Sequence, residues 1–269
     1  MRMTVLASGS RGNCTVLSSS NASVLVDAGL SCRETLKRMK AAGEDPHQLK
    51  AIIISHEHSD HVAGLPVLAR KLKIPVFITE ITYHRWRCDN RGPDRLPGRL
   101  ERVEHFAAGK SFRIADLTVN PFTIPHDAAD PCGFTFNAHG LKVGIVTDVG
   151  YLAANVIDAL RGCDGLMIES NHDIEMLRNG PYPEMVKHRI KSRDGHLSNA
   201  QLAEFFENEK AYDGQAEFIV LAHISEQNNH PELARQTAFR ALGTRLNLFQ
   251  SSNLALAHQD RPLQPISLG

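Results

Sequence analysis

Residues 55–61 read Ser-His-Glu-His-Ser-Asp-His and place four metal-ligating side chains, His56, His58, Asp60 and His61, within six positions. They follow the apolar run 51–54, which reads as a strand buried on both faces. On a loop leaving a strand, His56 and His58 point to one side. Asp60 and His61 open the next helix and turn toward the same space. Imidazole and carboxylate together suit zinc or manganese, and a catalytic centre of that kind keeps a position for water. Cysteine offers no rival chemistry: Cys14, Cys32, Cys88, Cys132 and Cys163 are scattered and form no CxxC pair, which argues against a disulfide framework or a thiolate zinc site.

Such a loop needs elements to hold it. Short β-type runs come first, at 4–6, 15–17 and 24–27, with turn chemistry at 9–13 and 18–21. A helix is expected over 31–42, ending at Gly43, then the strand 51–54, a helix over 64–72 and a strand over 76–79. Residues 84–104 alternate arginine with Gly92, Pro93, Pro97 and Gly98 and read as a loop or arm. Strand signals return at 117–123, 134–137, 142–147, 166–169, 218–222 and 253–257. Helices are expected over 152–160, 183–191, 199–208 and 231–242. Two groups of strands with helices between them predict an α/β (α+β) chain of two packed sheets flanked by helices, one domain over 1–269.

Composition narrows the class. The chain has 269 residues, with 30 basic and 30 acidic side chains, so it is not a polycation. Hydrophobic content of 42% and charged content of 22% are those of a soluble globular protein. No apolar run approaches the ~18 residues of a membrane span, and the start lacks a charged-then-apolar leader pattern. A cytoplasmic protein with no membrane partner is expected.

The sequence His56-Glu57-His58-Ser59-Asp60-His61 resembles the HxHxDH signature of the metallo-β-lactamase superfamily, and later motifs appear in family order. His126 lies in Ile-Pro-His-Asp, Asp148 in Val-Thr-Asp-Val-Gly and His223 in Val-Leu-Ala-His-Ile-Ser. The resemblance implies a four-layer αββα sandwich with two divalent ions at the sheet edges. One ion would take His56, His58 and His126, the other Asp60, His61 and His223, with Asp148 between them. Asp27 matches a position behind the ligands, where it would fix a histidine tautomer. Two ions sharing a carboxylate also share a water and lower its pKa, so hydrolysis by a bridging hydroxide is implied.

Three features favour a phosphodiester substrate. Glu169 with His196, in Gly-His-Leu-Ser-Asn, resembles the Glu/His pair of ribonuclease Z-like members, where the histidine serves the leaving oxygen. Lys187, His188, Arg189, Lys191 and Arg193 form a basic cluster just before it, and Arg91, Arg95 and Arg99 lie in the arm. The segments around Ser8, Ser10 and Asn13, around Glu169, around His196, and around Asn228 and Asn229 are similar to the YycJ/VicX/WalJ-like branch. That branch implies metal-dependent 5′-to-3′ exonuclease action on DNA rather than RNA. Asp60, Glu169 and His196 are then the candidate catalytic residues. Ser8, Ser10, Asn13, Arg91, Arg95, Arg99, Asn228 and Asn229 are candidate substrate contacts. Two other readings stay open: a thioester hydrolase resembling glyoxalase II, and a non-catalytic nucleic-acid-binding regulator on the same scaffold. The spacing of Asp148 and Glu169 leaves no room for the large insert of the RNA-processing β-CASP members.

Overall fold

A computed structural model describes residues 1–89, 100–243 and 253–269. Arg91, Arg95 and Arg99 lie outside them. Among the described residues there are two seven-stranded sheets. The first is built from β1 (Arg2–Ala7), β2 (Cys14–Ser18), β3 (Ser23–Val26), β4 (Leu49–Ile53), β5 (Val76–Thr79), β6 (Val103–Phe106) and, at its edge, the last strand β14 (Ile266–Ser267). Its order is β14-β1-β2-β3-β4-β5-β6. The second holds β7 (Phe112–Ile114), β8 (Leu117–Thr123), β9 (Cys132–Ala138), β10 (Leu141–Val146), β11 (Gly165–Glu169), β12 (Phe218–Ala222) and β13 (Leu254–Leu256), in the order β13-β12-β11-β10-β9-β8-β7.

The helices are α1 (Cys32–Ala41), α2 (Ser59–Val62), α3 (Leu65–Leu72), α4 (Glu80–Asp89), α5 (Ala154–Leu160), α6 (Ile174–Asn179), α7 (Glu184–Lys191), α8 (Asn199–Glu207) and α9 (Pro231–Gly243). None is long and apolar enough to cross a membrane.

Strand alternation builds the four layers. In β4, Ala51 and Ile53 face the core between the sheets, while Ile52 and Ile54 face a second core that includes Leu65, Leu68 and Trp86. In β12, Val220 and Ala222 join the inter-sheet core, and Ile219 and Leu221 pack with Phe206, Ala234 and Ala238. A strand covered on both faces has no polar side, which is why 51–54 and 218–222 read as unbroken apolar runs. The αββα sandwich is therefore as expected.

Several details depart from the sequence reading, the unexpected helix α6 among them. Residues 84–89 are helical, in α4, rather than part of an arm, because Trp86 is buried against the first sheet. Strands β6, β7 and β14 escaped notice, being short edge strands; β6 exposes Glu104 and His105. The helix expected over 64–72 is preceded by the separate turn α2, broken at Gly64.

The pairings give one direction to the strands that matter. Strands β3 to β6 run parallel, as do β10 to β13, and two antiparallel steps bring β1 and β8 into the same sense. The C-terminal ends of β1, β3, β4, β8, β10, β11 and β12 thus meet at one rim of the sandwich. Ligand sites of α/β sheets form at such ends.

Candidate metal centre

Ser8, Asp27, His56, His126, Asp148, Glu169 and His223 each end or closely follow one of those strands. Three of them occupy the left-handed region, with φ of 61° at Asp27, 58° at Asp148 and 52° at His223. Backbone of this kind is costly for residues other than glycine and turns the side chain sharply off the strand. Here it turns three side chains into one space.

Donor atoms of His56, His58 and His126 lie within 4.8 Å of one another, and so do those of Asp60, His61, Asp148 and His223. His126 Nε2 is 3.2 Å from His58 Nδ1. Asp148 joins the second group from two sides: Oδ2 lies 3.3 Å from His61 Nε2, and Oδ1 lies 3.4 Å from His223 Nε2. His223 Nε2 is also 3.6 Å from Asp60 Oδ2.

The ring tautomers follow from what lies behind them. His61 Nδ1 donates to Asp27 Oδ2 at 2.8 Å, and His223 Nδ1 to Glu169 Oε1 at 3.0 Å. His126 Nδ1 donates to the Gly195 carbonyl at 3.3 Å. Ser55 Oγ gives its proton to Asp27 at 2.9 Å and accepts from His56 Nδ1 at 3.0 Å. With Nδ1 committed outward, each ring aims Nε2 inward, the nitrogen that would bind a metal once any proton on it is released. His56 Nε2 and His223 Nε2 are buried without a hydrogen-bond partner among the described residues. Orphaned buried nitrogens are rare, and converging on carboxylates they fit a pair of divalent cations.

The charges support the same fit. Burial alone would lower the His61 and His223 pKa values, but Asp27, Asp60 and Asp148 around the first, and Asp148, Asp60 and Glu169 around the second, raise both well above the histidine range. Against its burial, Asp148 is held well below the carboxylate range by His223 and His61. Burial and the charge on His61 push His56 the other way, to a neutral ring. Protons on His61 and His223 thus occupy the place of cations. Binding of metal must release them, so affinity should rise with pH, by up to about tenfold per unit for each proton displaced. Calorimetric titration of metal-stripped protein in buffers of different ionisation enthalpy measures the release, and an affinity independent of pH between 6 and 8 contradicts it.

Several candidate substrate contacts turn out to hold the centre together. Asn13 is buried; its Nδ2 donates to Asp60 Oδ2 at 3.0 Å and its backbone N–H to the Asp60 carbonyl at 2.7 Å. Ser8 Oγ accepts from the His223 backbone N–H at 2.9 Å. Asn229 is buried, its Nδ2 within 3.0 Å of the Ser170 and Asn171 carbonyls, and Asn228 is wholly buried too. These four are buried, whereas Ser10 is exposed beside them. Glu169 stands behind His196 rather than facing the open side of the centre. It is 0% exposed, and Oε1 accepts from His196 Nδ1 at 2.8 Å as well as from His223, so it acts through those rings. Burial opposes ionisation, but His196 and His223 draw the Glu169 pKa down to about 2. In turn Glu169 lifts the pKa of His196 against the effect of burial.

Sequence reading missed Ser55 and Asn171, whose Nδ2 donates to the His223 carbonyl at 2.9 Å. Their signals were the adjacency of Ser55 to His56 and the place of Asn171 in the Glu169-Ser170-Asn171 segment. It also missed Gly29. A Cβ there would stand 1.7 Å from the Asp60 carbonyl, because residues 28–30 press directly on the turn that carries Asp60. Gly29→Ala is expected to displace that turn, to destabilise the fold by about 3 kcal/mol and to weaken metal retention. Thermal melting with and without metal checks this; an unchanged Tm and metal content would contradict it.

Comparison with known proteins follows the same lines. The family model described as a beta-lactamase superfamily domain matches residues 22–224. Exodeoxyribonuclease YycJ of Bacillus anthracis is 36% identical over 242 residues, covering 90% of this chain and 89% of that one. Exodeoxyribonuclease WalJ of Streptococcus pneumoniae serotype 2 is 35% identical over 243 residues, covering 90% and 88%. Among solved structures, the metallo-beta-lactamase fold protein YhfI of Bacillus subtilis superposes with a TM-score of 0.66 at 16% identity, over 97% of this chain and 99% of that one. The short form of human tRNase Z gives 0.64 at 17%, over 98% and 99%. These two likenesses show the fold.

Proposed function

The chain belongs to the metallo-β-lactamase superfamily, and from that premise we propose that it is a dinuclear metal-dependent DNA exonuclease, shortening strands 5′ to 3′ in the cytoplasm. Residues 1–269 act as one domain in this reading. The observation that carries it is the pair of donor groups, His56–His58–His126 and Asp60–His61–Asp148–His223, with His196 beside Asp148 and His223. Each group would hold one divalent ion, zinc or manganese by donor type. Such ions lower the pKa of a shared water and neutralise charge on the phosphate oxygens.

The chain's own groups do the rest. Asp60 is the partly exposed carboxylate of the centre, and Asn13 holds one of its oxygens. It accepts the proton of the attacking water. His196 holds Nδ1–H on Glu169, which leaves Nε2 for the substrate. Glu169 raises the pKa of His196 against the effect of burial, which favours the protonated ring that can donate to the departing oxygen. A thiolate leaves without such help, so the Glu169–His196 pair favours a phosphodiester over the thioester of the glyoxalase II-like reading. The names of the YycJ and WalJ relatives support DNA as the substrate.

The test is incubation of the protein and its Asp60→Asn variant with end-labelled duplex, single-stranded DNA and RNA in manganese. Stepwise shortening of DNA from the 5′ end by the unsubstituted protein alone is expected. Cleavage of none of them, with both ions bound, would turn the reading toward a small thioester or ester.

A further inference from the structure

The basic cluster before His196 divides in the structure. Lys187 is buried; its Nζ donates to the Arg178 carbonyl at 2.9 Å and pairs with Glu184 at 3.0 Å. The Arg193 guanidinium lies 4.2 Å from the centroid of the Tyr151 ring. Both fasten α7 and the loop after it in place. Arg189, in the last turn of α7, points elsewhere. Its side chain is 61% exposed and its Nε donates to Asp127. Asp127 follows His126 directly, and its Oδ1 lies 3.5 Å from His126 Nε2. Its backbone N–H donates to the Asp194 carbonyl at 3.0 Å, so both ends of this bridge are anchored. The guanidinium therefore stands on the lip of the centre, one carboxylate away from the His56–His58–His126 group.

One helical turn earlier on the same face is Met185, 83% exposed, with Val186 at 38% and His188 exposed between them. An apolar side chain this open, on a helix already fastened by Lys187, does nothing for the fold. Read outward from the centre, the face of α7 runs from a cation to an apolar tip. A nucleotide has the same sequence of properties, phosphate first and base beyond.

We propose that this face of α7 seats the nucleic-acid strand beside the scissile bond, with Arg189 gripping a neighbouring phosphate and Met185 supporting a base. The inference rests on the phosphodiesterase reading and adds where the strand lies. Asp127 engages Nε at the lip of the centre, while the rest of the guanidinium keeps the geometry for a second anion. The arginine is held in place before substrate arrives, which reduces the ordering cost of the grip.

Initial rates on a single-stranded DNA 20-mer, measured across salt concentrations, test it. Arg189→Ala is expected to raise KM about tenfold, the larger part of its effect, and to flatten the slope of log kcat/KM against log salt by about 0.7, one phosphate contact on a single strand. Met185→Glu, at a position too exposed to threaten folding, should raise KM severalfold through repulsion of the strand. If Arg189 only propped Asp127 and His126, the loss would fall on kcat and metal content and leave the salt slope alone, which would overturn the proposal. Unchanged KM in both variants would overturn it as well, with the nuclease reading intact. Failure of the unsubstituted protein to cleave any strand would remove both together.

Discussion

Asp60→Asn is expected to lower turnover on DNA by about a thousandfold while the protein stays folded. The substitution is nearly isosteric, and Asn13 can still bond the amide oxygen where it now donates to Asp60 Oδ2. The charge is what goes. Asp60 is one of two carboxylates, with Asp148, that face both His61 and His223. It is also held well below the carboxylate range by His61 and His223, although burial works against this. An amide neither accepts a proton at working pH nor offsets a cation. Metal analysis beside single-turnover kinetics checks the assignment. Near-normal turnover in a variant carrying both ions would mean that Asp60 holds neither role.

His196→Ala should cost a similar factor, on the order of 10²- to 10⁴-fold, for a different reason. His196 belongs to neither of the two ligand groups given above, so both ions should stay bound. What is lost is the proton for the leaving oxygen. The loss should therefore be largest on DNA, whose leaving group is a poor one, and much smaller on bis(p-nitrophenyl) phosphate. The sign with pH is fixed as well. The folded protein raises the pKa of His196, so its acid form prevails below that value and is lost as pH rises through it. The unsubstituted enzyme should show a falling alkaline limb on DNA that the variant lacks. Equal losses on both substrates, or loss of an ion, would contradict the proton-donor role.

The Asp60 and His196 effects differ in how far the sequence foretells them. The run His56 to His61 carries its own geometry: a strand end, a short loop and a helix start place four donors in one space whatever surrounds them. The paired apolar runs of β4 and β12 likewise announce strands covered on both faces, since nothing polar in them has anywhere to face. Local periodicity and local spacing are enough for both, and the four-layer sandwich follows.

What the sequence could not decide is which partner each polar side chain meets. Ser8, Asn13, Asn228 and Asn229 have the donors and acceptors of substrate contacts, and Ser10 looks the same on paper. Only burial separates them, and burial depends on chain segments far away: Ser8 meets His223, and Asn13 meets Asp60. Glu169 reads as one half of a Glu/His pair, but only the packing of β11 between β10 and β12 shows that it is sealed from solvent and shared by two histidines. The left-handed backbone at Asp27, Asp148 and His223 falls on residue types that adopt it more readily than most, but which aspartates and histidines do so is decided by the fold around them. The same is true of Arg189 and Asp127, 62 residues apart, which become a pair only when α7 packs over the loop that carries His126. Residue type and spacing determined the chemistry available to this protein. Long-range packing, through burial and the choice of hydrogen-bond partner, decided which groups are free to perform it.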